Sequence, residues 1–246
     1  MEAITSVQNE KIKQANKLKK KKERDKTGRV LIEGIHLIEE AVQSDIQIEQ
    51  LFCLDVSRVD EQVLAAAKET YEITFKVAEA LSGTVTPQGV FAIIQKPVYD
   101  VKNGQRILLV DRIQDPGNLG TLIRTADAAG FDLILLEKGT TDAYQDKVLR
   151  ASQGSVFHIA VQSGNLAEFI ASFEGPVYGT ALEDAVDYKT ITSPESFALL
   201  LGNEGEGVAP ELLSSTTQNL TIPIYGQAES LNVAIAGSIL MYHLRG

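Results

Sequence analysis

With 246 residues, 44% hydrophobic and 23% charged, the chain has a globular composition and the length of one or two domains with a sizeable core. A single cysteine, Cys53, excludes an intramolecular disulfide. No apolar run approaches the ~20 residues of a membrane span, and the start, MEAITSVQNEKIKQ, has no apolar leader core, so a soluble cytoplasmic protein is expected. The net charge of −10 argues against a uniformly basic nucleic-acid binder, but it is unevenly spread. Residues 1–29 carry ten Lys or Arg and four Asp or Glu, a net of +6 against −16 for the remainder. Such a split suits a basic arm that meets a polyanion first; a solvated helix face is the plainer alternative.

In chain order the apolar pattern predicts a polar, basic helix over 9–24, a strand over 30–32 and a helix over 35–43. A strand over 48–54, a helix over 59–68 and strands over 73–77 and 90–95 complete a small α/β unit spanning 1–96. Residues 97–104, with Pro97 and Asn103-Gly104, read as a linker. A second α/β unit over 105–246 has predicted strands over 107–111, 133–136, 157–161, 177–180, 197–201 and 219–222, and a last helix over 231–243. Runs such as ILLV, LILL and FALLL are almost wholly apolar, the pattern of a parallel sheet covered on both faces. Ligands of such sheets sit at the carboxyl ends of the strands.

Three segments follow strands at those ends. In DRIQDPGNLGTLIRTADAAG (111–130), Pro116-Gly117 makes a turn, Asn118 is placed to cap a helix starting near Leu119, and Arg124 lies on its second turn. Each also has an ordinary reading, a plain cap and a surface ion pair. LLLGNEGEGV (199–208) is a buried strand running into a glycine-rich loop. Its G-x-x-G-x-G spacing is neither the dinucleotide pattern nor a phosphate loop. Glu204 would repel a phosphate and suits a cationic or hydroxyl-bearing ligand. IPIYGQAESLNVAIAGSILMY (222–242) is a strand end, a loop, and a helix that Ser230 can cap. Its Ala234, Ala236, Gly237 and Ser238 permit close backbone approach to a ligand or another helix.

In this order the three segments, with RASQGSVFHIAV (150–161), resemble the SpoU (TrmH) family of RNA ribose 2′-O-methyltransferases of the SPOUT superfamily. The amino-terminal stretch, with Ser6, Asn9, Lys11, Leu18, Arg24 and Glu33-Gly34, is similar to the family's substrate-binding domain. That resemblance implies an α/β catalytic domain with a parallel sheet and a deep trefoil knot, and a small α/β RNA-binding domain like a ribosomal-protein fold. It implies S-adenosyl-L-methionine as cofactor, held near Thr180, Leu201, Gly202, Ile222, Ser230 and Leu231. It also implies a catalytic set of Arg124, Asn118, Glu204, Ser230 and Asn232, and a homodimer through the carboxyl-terminal domain. Lys11, Lys19, Lys20, Lys21, Lys22 and Arg24 are the expected RNA contacts. The chain departs from many members in having Ala234 where serine is common, and in its short, charged loop over 226–229.

Methyl transfer from a sulfonium asks mainly for alignment, which supplies up to ~7–11 kcal/mol in the best cases, and for management of one proton. The family implies Arg124 as base. An arginine side chain parts with its proton too reluctantly for that role, so holding a phosphate and stabilising the developing alkoxide suits it better. His36, His158 and His243 have no metal-ligand spacing, and no metal is expected. The resemblance of the separate amino-terminal domain implies ribosomal RNA, of the 23S type, over transfer RNA. A dinucleotide-dependent oxidoreductase and an inactive RNA-binding protein are the competing classes. The first lacks its glycine motif, and the second is at odds with the intact Asn118, Arg124, Glu204, Ser230 and Asn232.

Overall fold

The computed structural model describes residues 2–99 and 104–246, and the linker read over 97–104 falls in part on residues outside them. Two compact units result, Met1–Val98 with Tyr144–Phe157, and Tyr99–Ala143 with His158–Gly246.

The first unit runs β1 (Glu2–Ile4), α1 (Glu10–Lys17), α2 (Lys21–Thr27), β2 (Arg29–Glu33), α3 (Ile35–Gln43), β3 (Ile48–Cys53), α4 (Glu61–Ala66), β4 (Ala67–Ile73), α5 (Phe75–Leu81) and β5 (Val90–Gln95). Its sheet has the order β1-β4-β3-β5-β2, with β1, β4 and β3 parallel and β5 antiparallel to both of its neighbours. Ile12, Ala15, Phe52, Leu81 and Phe91 form its core.

The basic helix read over 9–24 is two helices. Asn9 caps α1 by accepting from Lys11 N at 2.9 Å. The chain then breaks, with Lys20 in an extended conformation before α2. Arg24 Nη1 donates to the Leu18 carbonyl at 2.7 Å, satisfying an acceptor that the end of α1 leaves open. The strand read over 73–77 is also corrected. β4 ends at Ile73, and α5 follows, burying Val77, Ala78 and Leu81 at helical spacing. A run this short cannot be assigned by its apolar pattern alone.

The second unit contains β6 (Arg106–Val110), α6 (Pro116–Ala128) and β7 (Leu133–Leu136). The next helix, α7 (Asp146–Ser152), belongs to the first unit. Then follow β8 (Ala160–Ser163), α8 (Leu166–Ser172), β9 (Val177–Thr180), β10 (Val186–Asp187), β11 (Phe197–Leu201), α9 (Pro210–Leu213), β12 (Gln218–Thr221) and α10 (Val233–Arg245). The sheet order is β10-β12-β9-β11-β6-β7-β8, and every pair is parallel. The strand read over 157–161 starts later, because the left-handed Gln153 and Gly154 lead into a 3-10 turn at Ser155–Phe157.

All residues of β7 and β11 are buried. Each fully buried leucine is worth roughly 1.5–3 kcal/mol, and these wholly apolar strands lie inside the sheet, β11 at its centre and β7 one strand from the edge. α6 packs against α10. A Cβ on Gly237 would stand 2.6 Å from Leu122 and from Leu201, so the small residues of α10 serve packing within the chain.

Candidate active site

Parallel pairing gathers the ends of the central strands. Leu201 of β11 pairs with Val110 of β6, Leu200 with Gly179 of β9, and Thr180 with Leu220 of β12. The segments beginning at Asp111, Ala181, Gly202 and Ile222 therefore leave the sheet side by side, at its carboxyl edge.

Two caps differ from their sequence assignments. Asp115, not Asn118, caps α6. It accepts from Asn118 N at 2.9 Å, with Pro116 opening the helix. The signal was present in Asp115-Pro116, since proline suits the first helical position. Asn232, not Ser230, caps α10, accepting from Ala234 N and Ile235 N at 2.9 and 3.3 Å. With the backbone no longer needing it, the Asn118 side chain is free for other partners.

Those partners are two of the other candidates. Asn232 Nδ2 donates to Asn118 Oδ1 at 2.9 Å, and Asn118 Nδ2 donates to Glu204 Oε1 at 3.0 Å. Glu204 also accepts from Asp115 N at 2.9 Å and Gln114 N at 3.1 Å. Burial pushes its carboxyl up, but the bond from Asn118 and the backbone bonds from Asp115 and Gln114 prevail and hold it below its ordinary range. Glu204 thus clamps the start of α6, and its oxygens already have donors. That differs from the direct ligand contact expected of it.

The loop after β11 is folded hard on itself. Asn203 and Gly207 exchange both backbone hydrogen bonds, at 2.9 and 3.0 Å. A Cβ on Gly202 would lie 2.1 Å from the backbone of Gly207 and Val208, so only glycine fits there. Asn203 Oδ1 accepts from Gly205 N and Glu206 N, an Asx turn not predicted from the sequence, although an asparagine inside a glycine-rich loop is a usual turn signal.

These loops wall a cavity of about 810 Å³, lined by Thr180, Gly202, Glu204, Leu220, Ile222, Ser230, Leu231 and Asn232 among others. Its size is that of a cofactor pocket. Apolar walls with backbone amides and a few hydroxyl and amide groups fit an adenosine and an amino-acid moiety together. Five of the six residues expected at the cofactor line it. Leu201 does not, because its side chain is turned into the packing against Gly237. Arg124 lies off the cavity wall, roughly 9 Å along α6 from Asn118 at the helical rise. It is exposed and, among the described residues, its side chain makes no hydrogen bond or ion pair. A surface salt bridge is therefore not what holds it.

The cations of the first unit are arranged differently. Arg24 is 4% exposed and bonded to Leu18, which takes it out of the RNA-facing set. Lys11 donates to the Tyr71 hydroxyl and, at 3.4 Å, to Glu69. Lys19 donates to the carbonyls of Ala80 and Ser82 at 2.9 and 3.1 Å, and burial pulls its ammonium below the ordinary range. Lys20, Lys21 and Lys22 are exposed, and Lys21 pairs with Asp25. Among the described residues no three His, Cys, Asp or Glu side chains converge as a metal site, and no helix is long and apolar enough to cross a membrane.

Fold and site together are those of α/β proteins that hold a ligand at the carboxyl ends of a parallel sheet. The SpoU rRNA Methylase family matches residues 105–242, and the MRM3-like substrate binding domain matches residues 9–92. The chain belongs to the SpoU rRNA methylase family, as the resemblance of its motifs implied. It is 46% identical over 249 residues to the 23S rRNA (guanosine(2553)-2′-O)-methyltransferase RlmP of Bacillus subtilis (strain 168), covering 100% of both chains. It is 32% identical to an uncharacterized tRNA/rRNA methyltransferase of Synechocystis, covering 99% of this chain and 93% of that one. The crystal structure of an AdoMet-bound rRNA methyltransferase from Sinorhizobium meliloti matches with a TM-score of 0.90 at 35% identity, over 99% of this chain and 97% of that one.

Proposed function

We propose that this chain is an S-adenosylmethionine-dependent methyltransferase acting on a ribose 2′-hydroxyl of ribosomal RNA, of the 23S type. One observation carries the reading. Glu204, Asn118 and Asn232, remote in sequence, form one hydrogen-bonded line beside a cofactor-sized cavity. The 46% identical relative, named for that reaction on 23S rRNA, supports the substrate.

When bound, S-adenosylmethionine supplies a methyl group already activated on a sulfonium. The chain's own task is alignment and one proton. Gly202 gives the cofactor close backbone approach, with Thr180, Ile222, Ser230 and Leu231 around it. Glu204 and Asn232 fix the Asn118 amide toward the ribose. Arg124, whose exposed side chain has no partner among the described residues, holds an RNA phosphate and stabilises the alkoxide as the hydroxyl proton passes to solvent water. Lys20, Lys21 and Lys22 add sequence-independent attraction to the RNA.

Two further parts of the reading follow from the family. The carboxyl-terminal segments are threaded as a trefoil knot, in keeping with the return of α10 onto β11 and α6. The active form is a cytoplasmic homodimer, for which the exposed Leu231, Ile235 and Tyr242 supply an apolar stripe on and just before α10. Mass mapping of ribose methylation in 23S rRNA from a deletion strain tests the function. Loss of one 2′-O-methyl group, restored by the wild-type gene, is expected; an unchanged map of both rRNA and tRNA would sink it.

A further inference from the structure

Between β6 and α6 the chain passes through Arg112 with φ at +56°, the left-handed region that side chains with a Cβ rarely adopt. No glycine or asparagine stands there. What holds an arginine in that conformation is a set of bonds from every part of the residue. Its N–H donates to Thr140 Oγ1 at 3.1 Å. Its carbonyl accepts from Asn203 Nδ2 at 2.8 Å and Gln114 Nε2 at 3.0 Å. Its guanidinium donates to both carboxylate oxygens of Asp111, at 2.8 and 3.1 Å, and to Glu206 at 2.9 Å. Asp111 is 1% exposed and also accepts from Ala209 N at 2.9 Å.

These bonds have a common direction. Asn203, Glu206 and Ala209 mark the start, crest and exit of the glycine-rich loop, and all three are tied to residues 111–112. From the same loop Glu204 reaches Gln114, Asp115 and Asn118. The cofactor side of the cavity and the segment that carries Asn118 and Arg124 are therefore joined through a hub, and Arg112 is its centre. Its half-buried side chain forks onto Asp111 and Glu206 and is not among the residues that line the cavity, so it acts through those partners.

We propose that Arg112 is a positioning residue for methyl transfer, locking the cofactor loop over 202–208 against the substrate-side segment over 113–118. Strained, over-determined backbone is a recurrent way of fixing a reacting geometry. A displacement of about 1 Å between reacting groups can cost 10²-fold in rate. The Arg112–Asp111 fork also ties this lock to the end of β6, in the packed sheet.

Three variants of the full chain test it: Arg112→Gly, which keeps the backbone conformation and removes the fork, Arg112→Lys, and Glu206→Gln. Active sites are counted by stoichiometric calorimetric binding of S-adenosylhomocysteine. Single-turnover methylation of unmodified 23S rRNA transcript is then measured at saturating S-adenosylmethionine, beside Tm. Arg112→Gly should lower the rate per active site about 10–100-fold, with the RNA KM within about threefold of wild type. Arg112→Lys should recover little, lacking the planar fork. Glu206 is largely exposed, so Glu206→Gln should leave Tm unchanged and still slow the rate about 3–10-fold. If Arg112→Gly does not fold, Glu206→Gln and Arg112→Lys carry the test. Wild-type rates per active site in every folded variant, whatever their Tm, would overturn the proposal, because a purely structural residue changes only the number of active molecules. The inference rests on the reading of Asn118 as substrate-side, and Asn118→Ala is run in parallel. A wild-type rate there sinks that reading alone, and Arg112 is then judged by its own variants.

Discussion

Each unit contains a glutamate that collects hydrogen bonds from a loop, and the two are placed in opposite surroundings. Glu33 is 7% exposed and accepts from Ser82 Oγ at 2.8 Å, Gln88 N at 3.0 Å and Gly83 N at 3.2 Å. Glu204 is exposed at the cavity and accepts from Gln114, Asp115 and Asn118. The cations repeat the contrast. Arg24 is buried and bonded inside the first unit, whereas the Arg124 side chain stands exposed on α6 with no partner among the described residues. One residue type serves stability where it is dry and its bonding capacity is used within the unit. The same type faces solvent where a ligand can reach it.

The sharpest test of this contrast is Arg124→Ala. It removes no internal bond, so Tm and S-adenosylhomocysteine affinity should stay at wild type, while the single-turnover rate falls about 10²–10³-fold. Arg124→Lys should restore little, since it lacks the fork. A rate above half of wild type would place Arg124 with the ordinary surface residues.

Glu33→Ala should show the reverse pattern. It removes the buried acceptor shared by Ser82, Gly83 and Gln88, at a cost of roughly 1–3 kcal/mol in urea unfolding. Cofactor affinity per folded molecule should not change. A stability loss under about 0.5 kcal/mol, the level of an ordinary surface change, would show that the buried clamp is no more important than a surface one.

A smaller effect separates the cations of the first unit. Replacing Lys20, Lys21 and Lys22 by glutamine should flatten the log–log salt dependence of RNA binding by about 2, at ~0.7 per single-strand phosphate contact, with Tm unchanged. Arg24→Met should leave that slope intact and lower stability by about 1–2 kcal/mol. Exchanged outcomes would reverse the assignment of buried and exposed charge.

The smallest effect is an acid one. The Glu69 carboxyl is held at about 2, first by the hydrogen bond from Tyr71, then by those from Gln50 and Lys11, against an ordinary 4.5. A carboxyl depressed on folding stabilises fully above its unfolded value, and that contribution is lost as pH falls from about 4.5 toward 2. The group is exposed, so the change is slight. Tyr71→Phe should reduce the stability slope in that window, and an identical slope in the variant would deny the Tyr71–Glu69 bond any part in acid stability.

Much of the catalytic unit was legible because apolar strands leave little choice. LILL and FALLL have no polar face to expose, so a doubly covered parallel sheet follows, and with it a site at the carboxyl ends. The basic amino terminus misled for the complementary reason. Lysines and arginines at 11–24 look alike in sequence, and only the break near Lys20 turns Arg24 inward while leaving its lysine neighbours outside. The strand read over 73–77 failed because a short apolar stretch satisfies either period until β4 has taken the preceding residues.

The sequence by itself determined the two-unit α/β plan, the three loops at the strand ends, and the candidates Asn118, Arg124, Glu204 and Asn232, since each depends on local pattern and residue type. Tertiary structure alone decided which of them meet. Asn118 meets Glu204 and Asn232 across 86 and 114 residues of chain, and Arg112 is drawn into a left-handed conformation by partners up to 94 residues away. No window of sequence contains such pairs. They exist because parallel register sets four strand ends side by side, and because hydrogen-bonding groups brought to one edge of a dry sheet must find partners there.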